Sequence, residues 1–315
     1  MAPNNIQSVS VVVPVYNSAE SLPELVRRLH AVLDAAGLDY EVVLVNDGSR
    51  DDSWARIGDL ARDDHRTHGI NLMRNYGQHS ALLCGIRRAR HGVVITLDDD
   101  LQHPPEEIPT LLNALTSDRD VVYGTPQKEQ HGLFRDLASQ ITKIALRSAM
   151  GAAMARDASA FRVFRTEIRE AFADYRGTFV SIDVLLTWGT VRFGSVPVRH
   201  DIRRLGVSNY TFRALVQHAL NMMTGFSVLP LQIASMVGFA FTLFGFGVLA
   251  YVLGRLFILG ASVPGFPFLA SIIAIFSGAQ LFSLGIIGEY LSRMHFRLMD
   301  RPPYAVKSET TIPQS

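Results

Sequence analysis

Along roughly the first two hundred residues the chain alternates between two hydrophobic periods. "SVSVVVPVY" reads as a strand, "AESLPELVRRLHAVLDAAG" as an amphipathic helix stopping at Gly37, and "YEVVLVND" as a strand broken at Gly48. The series continues with a helix over "DDSWARIGDLARDD", a strand over "GINLMR", a helix over "HSALLCGIRRAR" and a strand over "GVVITLDD". A helix opened by the prolines of "PPEEIPTLLNAL" and a strand over "DVVYG" follow. Strands separated by helices predict an α/β fold, a mainly parallel sheet with helices on both faces. Such sheets bind ligands beyond the carboxyl ends of their strands. Polar residues gather there: Pro14, Tyr16 and Asn17 after the first strand, Asn46 and Asp47 after the second, Arg74 and Asn75 after the third, and Asp98, Asp99 and Asp100 after the fourth. Capping explains single members such as Asn17 and Asp51, but not the repetition at four strand ends.

The pattern changes near Phe226. From there to Gly288 the only charged residue is Arg255, and the stretch divides around "GASVPGFP" into Ser235–Leu259 and Phe266–Gly288. Each has about the 20 residues that a helix needs to cross a bilayer. A two-helix transmembrane anchor is therefore expected over 229–292, behind a cytoplasmic α/β domain over 1–209. Between them, "YTFRALVQHALNMMTGF" spaces its apolar residues as a juxtamembrane amphipathic helix over 210–228, with a plain core helix as the alternative. A basic segment and tail, 293–315, carries Arg293, His295, Arg297, Arg301 and Lys307, with a polar end after Lys307. The loop between the spans has no charge, so the positive-inside rule keeps both ends in the cytoplasm. The glycines Gly285 and Gly288 leave room for a homo-oligomer packed through the spans.

Composition narrows the picture. A net charge of +1 with scattered basic residues argues against a nucleic-acid partner. The single cysteine, Cys84, allows no internal disulfide, which fits a reducing compartment. No signal peptide is read before Ser8. No G-x-x-x-x-G-K-[ST] loop occurs, and "GFGVLA" lies in an apolar span with no strand before it, where helix packing accounts for its glycines.

The three consecutive aspartates carry the sharpest chemical signal. Adjacent carboxylates raise one another's pKa, so Asp98, Asp99 and Asp100 need a cation or water. In a strand, alternate residues share a face, which would let Asp98 and Asp100 converge while Asp99 turns away. Hard oxygen ligands suit Mg²⁺ or Mn²⁺ better than Zn²⁺. The competing reading is a solvated loop in which Asp100 caps the following helix.

"VSVVVPVYN", "VNDGSRDDS", "RNYGQHSA" and "TLDDDLQHPPEEIP", in this order and followed by two spans ending "GEYLSR", resemble the family-two (GT-A type) glycosyltransferases that load sugars onto polyprenyl phosphate. The likeness runs from about Ser8 to Tyr304. It is strongest to the bacterial branch that transfers formamido-arabinose to undecaprenyl phosphate, with dolichol-phosphate mannose synthases and bactoprenol glucosyltransferases more distant. The resemblance implies an inverting transfer from a nucleotide sugar, UDP-linked, to a polyprenyl phosphate in the bacterial inner membrane, serving cell-envelope glycan or lipid A modification. It places Asp98, Asp100 and Gln102 on Mg²⁺ or Mn²⁺ and Pro14, Tyr16, Asn17, Glu20, Asp47 and Asp99 around the donor. It associates Arg135, Arg162, Arg203 and Ser208 with the diphosphate or lipid phosphate, Arg162 as a catalytic group beside Asp98 and Asp100. Each arginine has a plainer alternative: a solvated helix residue for Arg135, an ion pair with Asp157 for Arg162, lipid headgroups for Arg203.

The chain departs from the family pattern at several points. Asn46-Asp47-Gly48 stands where Asp-Asp-Gly is common, Ser18 where Glu is common, and "GVSNY" puts Asn209 where a lysine is expected. Asp99 replaces a usual small residue. A polyprenyl phosphate is already anionic, so its oxygen needs no strong general base. His79, His103 and Asp99 are the candidate helpers, against a surface or capping role for the histidines. A processive polysaccharide synthase would carry a Q-x-x-R-W motif, and neither Trp54 nor Trp188 sits in one. A non-enzymatic anchor or sugar carrier would leave the strand-end clusters without a role.

Overall fold

The computed structural model describes residues 6–126, 157–177, 179–201, 229–259 and 265–310. Strands β1 (Ser8–Val15), β2 (Asp39–Asn46), β3 (Thr67–Leu72) and β4 (Val93–Thr96) alternate with helices α1 (Leu22–Ala35), α2 (Ser53–Asp63) and α3 (Gln78–Arg88). A 3₁₀ turn (Pro105–Glu107) and α4 (Ile108–Ala114) lead to β5 (Val121–Pro126). Then come β6 (Arg162–Arg165), α5 (Ile182–Gly189), β7 (Phe193–Val198), the long helices α6 (Leu229–Leu259) and α7 (Phe266–Leu298), and β8 (Val306–Glu309).

These strands form one eight-stranded sheet in the order β7-β5-β6-β4-β1-β2-β3-β8. The period-two pattern sets its two faces. Val11 and Val13 of β1, Val42 and Leu44 of β2, and Val93 and Ile95 of β4 turn to the face covered by α1, α2 and α4. Their neighbours Val12, Val43, Val45 and Val94 turn to the other, under α3 and α5. The interior of β1, β2 and β4 is thus buried on both sides, which is why they read as continuous aliphatic runs. Helix α3 comes especially close: a Cβ on Gly85 would lie 2.3 Å from Cγ1 of Val12 and 3.0 Å from Cγ2 of Val45.

The sheet is mixed rather than simply parallel. β1 pairs in parallel with β2 and β4, β2 with β3, and β5 with β7, while β6 runs against both β4 and β5 and β8 runs against β3. β6 (Arg162–Arg165) places arginines at both ends of a four-residue strand and lacks the aliphatic run that marks the equally short β4. The polar tail expected after Lys307 is corrected for its first residues, since Val306–Glu309 form β8. Without them the outer edge of β3 would leave its ladder groups unpaired. The strand is tied in by Met73 N–H to the Ala305 carbonyl (2.9 Å), Thr310 N–H to the Gly69 carbonyl (2.9 Å) and an Arg88–Glu309 ion pair (2.7 Å).

Helices α6 and α7 pack on one another through Phe241 and Phe244 against Phe276. Among the described residues one helix, Pro230–Arg255, is long and apolar enough to cross a membrane, with mean hydropathy 2.1. The juxtamembrane segment 210–228 lies outside the described residues. Because α3 leaves no room over β1 and β2, Gly85→Val is expected to cost about 1–3 kcal/mol through overpacking. A lowered thermal unfolding midpoint of the full chain in detergent would register it.

Candidate active site

The carboxyl ends of β1 to β4 open into one cleft of ≈ 290 Å³, lined by Pro14, Val15 and Tyr16, by Asp47, by Asn75, Gly77 and Gln78, and by Asp98, Asp99, Asp100 and Gln102. Each group arrives from a different strand end, as the parallel pairing dictates.

Asp47 is buried, and burial pushes its pKa upward against the pull of two backbone hydrogen bonds. Those bonds come from the N–H of Tyr76 (2.7 Å) and Gly77 (2.9 Å), immediately before α3. The carboxylate thus fixes the loop between β3 and α3. Gly48 allows the close approach: it has φ +66°, and a Cβ there would meet Arg74 C and Asn75 N at 2.5 Å. Asn46 does not join the cleft lining. It is buried in the sheet, where its side-chain amide donates to Asn71 Oδ1 of β3 (2.8 Å), so the amide serves a strand-to-strand contact.

The aspartates lie past the end of β4, which stops at Thr96. Strand alternation therefore does not orient them, and all three line the cleft. Asp98 Oδ1 accepts from Gln78 Nε2 (2.5 Å) and Asp100 Oδ1 from the N–H of Gln102 (3.0 Å). Asp99 Oδ2 accepts from the N–H of Tyr16 (3.0 Å), and burial raises the Asp99 pKa to about 6, with Asp100 adding to the rise. Left-handed backbone at Asn17 (φ 54°) and Leu101 (φ 61°) shapes the two rims. Among the described residues no three His, Cys, Asp or Glu side chains form a metal-binding group. Two carboxylates and an amide on one wall suit a cation that completes its shell with ligand phosphates and water, as Mg²⁺ and Mn²⁺ do.

Other sequence candidates fall elsewhere. Asn17 joins loops, receiving Arg50 N–H on Oδ1 (2.8 Å) and giving its own N–H to Ser49 (3.0 Å). Asp51 holds the N–H groups of Ala19 and Ser53 (both 3.1 Å), and Glu20 is exposed without lining the cleft. Arg162 is buried on β6, opposite Thr96, and its partner is Asp183 (2.5 Å) rather than Asp157, which accepts from Ser195 (2.7 Å). Tyr123 also donates to Asp183 (3.0 Å). His79 Nδ1 accepts the Ile182 N–H (3.3 Å) at the start of α5. His103 is buried against Phe161 and His200, and burial lowers its pKa to about 4, so the ring is neutral. Arg135, Arg203, Ser208 and Asn209 lie outside the described residues. The sequence reading omitted Gln78 and Gly77; "RNYGQHSA", opening a helix just after a strand, was the available signal.

A mixed α/β sheet with an acidic cleft across its strand ends defines a GT-A-like domain. Two crystal structures of glucosyl-3-phosphoglycerate synthase from Mycobacterium tuberculosis share the fold. One, with Mn²⁺ and UDP-glucose, has TM-score 0.50 and 16% identity over 69% of this chain and 77% of that one. The other, with phosphoglyceric acid, has TM-score 0.51 and 17% identity over 70% and 80%. Residues 10–176 match glycosyl transferase family 2, and the chain belongs to that family. It is a glycosyltransferase. It is 36% identical to the undecaprenyl-phosphate 4-deoxy-4-formamido-L-arabinose transferase of Pectobacterium carotovorum over 96% of this chain and 94% of that protein. The protein of the same name from Klebsiella pneumoniae is 35% identical over 98% and 96%.

Asp47→Asn leaves one oxygen for two backbone donors. One of the Tyr76 and Gly77 amides is then expected to lose its Asp47 bond, Gly77 keeping only the longer one to Asn75 Oδ1 (3.1 Å), and the released amide to exchange hydrogen about tenfold faster, measurable by hydrogen exchange on the intact protein.

Proposed function

We propose that the chain is a membrane-bound inverting transferase that moves a sugar from a UDP-linked donor to the phosphate of undecaprenyl phosphate at the cytoplasmic face of the bacterial inner membrane. The observation that carries this reading is the likeness over nearly the whole chain, helices α6 and α7 included, to relatives named for such a transfer. The cleft supports it by supplying oxygen ligands and backbone donors at one sheet edge.

Asp98, Asp100 and Gln102 would hold Mg²⁺ or Mn²⁺. When bound, the ion supplies positive charge against the diphosphate that leaves with the nucleotide. Gln78 orients Asp98, and Asp99 fixes the backbone of Tyr16 beside it. Pro14, Tyr16 and Asp47 would form the base side of the donor pocket, with Asn17 bracing the neighbouring loop through Ser49 and Arg50 and Glu20 exposed outside the cleft lining. Arg162 is paired with Asp183 inside the sheet and does not line the cleft, so its part in this reading is to support the sheet behind the site, while Arg135, Arg203 and Ser208 would serve the diphosphate or lipid phosphate. The acceptor oxygen is anionic near neutral pH, so a single displacement proceeds without a strong general base.

Helices α6 and α7 form a two-span hairpin in this reading. The pairing of β8 with β3 supports it, because the chain after α7 returns to the sheet that precedes α6. Both ends then share the cytoplasmic side, with the basic residues after the second span. Formamido-arabinose is the first sugar to test, with other pentoses and hexoses beside it.

Purified protein incubated with undecaprenyl phosphate, Mg²⁺ or Mn²⁺ and a panel of nucleotide sugars is expected to yield one glycosyl phospholipid by mass spectrometry. The Asp98→Ala, Asp100→Ala double variant is expected to lose at least a thousandfold in rate, on the scale of removing charge stabilisation at a leaving group, roughly 10²–10³ per interaction. Polymeric sugar product would point instead to a processive synthase. Full activity in the double variant would refute the acidic cleft as the site.

A further inference from the structure

Beside the first cleft lies a second of ≈ 320 Å³, lined by Arg74, Asn75, Tyr76, Gly77, Arg301, Pro302 and Pro303. Asn75 and Gly77 belong to both, so the two are contiguous. Its walls come from distant parts of the chain: the loop after β3 and the stretch that follows α7.

Arg74 and Arg301 both line this cleft, and no Asp or Glu among the described residues does. Arg301 makes no ion pair among the described residues, and Arg74 stacks on the Tyr76 ring (4.4 Å to the centroid) without one. The nearby carboxylates are committed elsewhere. Asp47 lies near enough to feel the Arg74 charge, but it accepts its hydrogen bonds from the Tyr76 and Gly77 backbone, and Asp300 pairs with Arg176 (2.7 Å). Many other described arginines do have an acidic partner, Arg27, Arg66, Arg88, Arg90, Arg162 and Arg192 among them. Like charges facing one space repel unless an anion enters it.

Both arginines are also held in place from behind. The Arg74 backbone presses on Gly48, where a Cβ would meet it at 2.5 Å. Arg301 sits between Asp300, which has left-handed backbone (φ 49°), and a Pro302-Pro303 pair whose second ring is buried. Tyr304 then anchors the segment under Arg87 (5.8 Å from ring centroid to guanidinium). Proline fixes φ, so little backbone freedom is lost when a ligand binds here.

We propose that this second cleft is an oxyanion site that takes a phosphate group between the Arg74 and Arg301 guanidiniums. Arginine pairs match phosphate geometry through paired N–H donors, and the volume falls in the range of small-ligand sites, roughly 300–1,000 Å³. The phosphate comes either from a soluble phosphate or from an anionic lipid headgroup. The inference does not rest on the transferase reading and stands or falls separately from it.

The test is equilibrium dialysis of radiolabelled inorganic phosphate against the full-length protein in a neutral detergent at constant ionic strength. Saturable binding is expected for the wild type and for Arg62→Gln, an exposed arginine on α2 that controls for general charge. Arg301→Gln and Arg74→Gln are each expected to weaken it at least tenfold, with unchanged thermal midpoints, and Arg301→Lys is expected to restore part of it. Repeating the titration in phosphatidylcholine nanodiscs, with and without phosphatidic acid, separates the sources. Weaker phosphate binding with phosphatidic acid assigns the site to a lipid headgroup, and unchanged binding assigns it to soluble phosphate. Absence of saturable binding, or equal binding in the wild type and both Gln variants, would overturn the proposal.

Discussion

Parallel pairing of β1 with β2 and β4, and of β2 with β3, brings four polar chain reversals to one edge of the sheet. Everything chemical in the molecule follows from that alignment. The strands are buried on both faces, so a ligand has access only at their ends. The hydrogen-bond register then fixes where Asp47 stands relative to Tyr16 and the aspartates after β4.

Charge at this edge is tolerated because backbone and side-chain donors meet it. Asp47 and Asp99 would each suffer from burial, and each receives N–H groups from a neighbouring reversal: Tyr76 and Gly77 for Asp47, Tyr16 for Asp99. The same bonds lock the loops together, so the carboxylates that shape the cleft also hold it open. A second closure comes from the far end of the chain. By completing the edge of β3, β8 covers exposed ladder groups and carries Arg301 to the rim of the neighbouring cleft. The segment leaving the long helices is therefore a structural part of the α/β domain.

Much of this was legible in the sequence because the relevant periods are long and strong. The aliphatic runs of β1, β2 and β4, the apolar spacing of α1 and the strand-end polar residues all follow from position and period. Other features escaped for physical reasons. β8 is short, polar and stabilised by pairing rather than by its own pattern, so it reads as a tail. The contact of Arg162 with Asp183 joins residues brought together only by the fold, and nearby Asp157 was the more obvious partner in sequence. The aspartates were read as strand residues, although β4 ends two positions earlier, and their orientation depends on loop hydrogen bonds that no periodicity encodes. Gln78 was missed because a glutamine at a helix start is unremarkable until Asp98 is placed 2.5 Å away.

Asp98, Asp100 and Gln102 are proposed to hold a divalent cation together with a nucleoside diphosphate. Electron paramagnetic resonance of Mn²⁺ tests this directly, since the sharp six-line signal of the free ion fades on binding. With UDP present, the wild type is expected to deplete that signal stoichiometrically, and the Asp98→Ala, Asp100→Ala variant to leave the signal of Mn²⁺ with UDP alone. Equal depletion by both proteins would place the metal elsewhere and contradict the account.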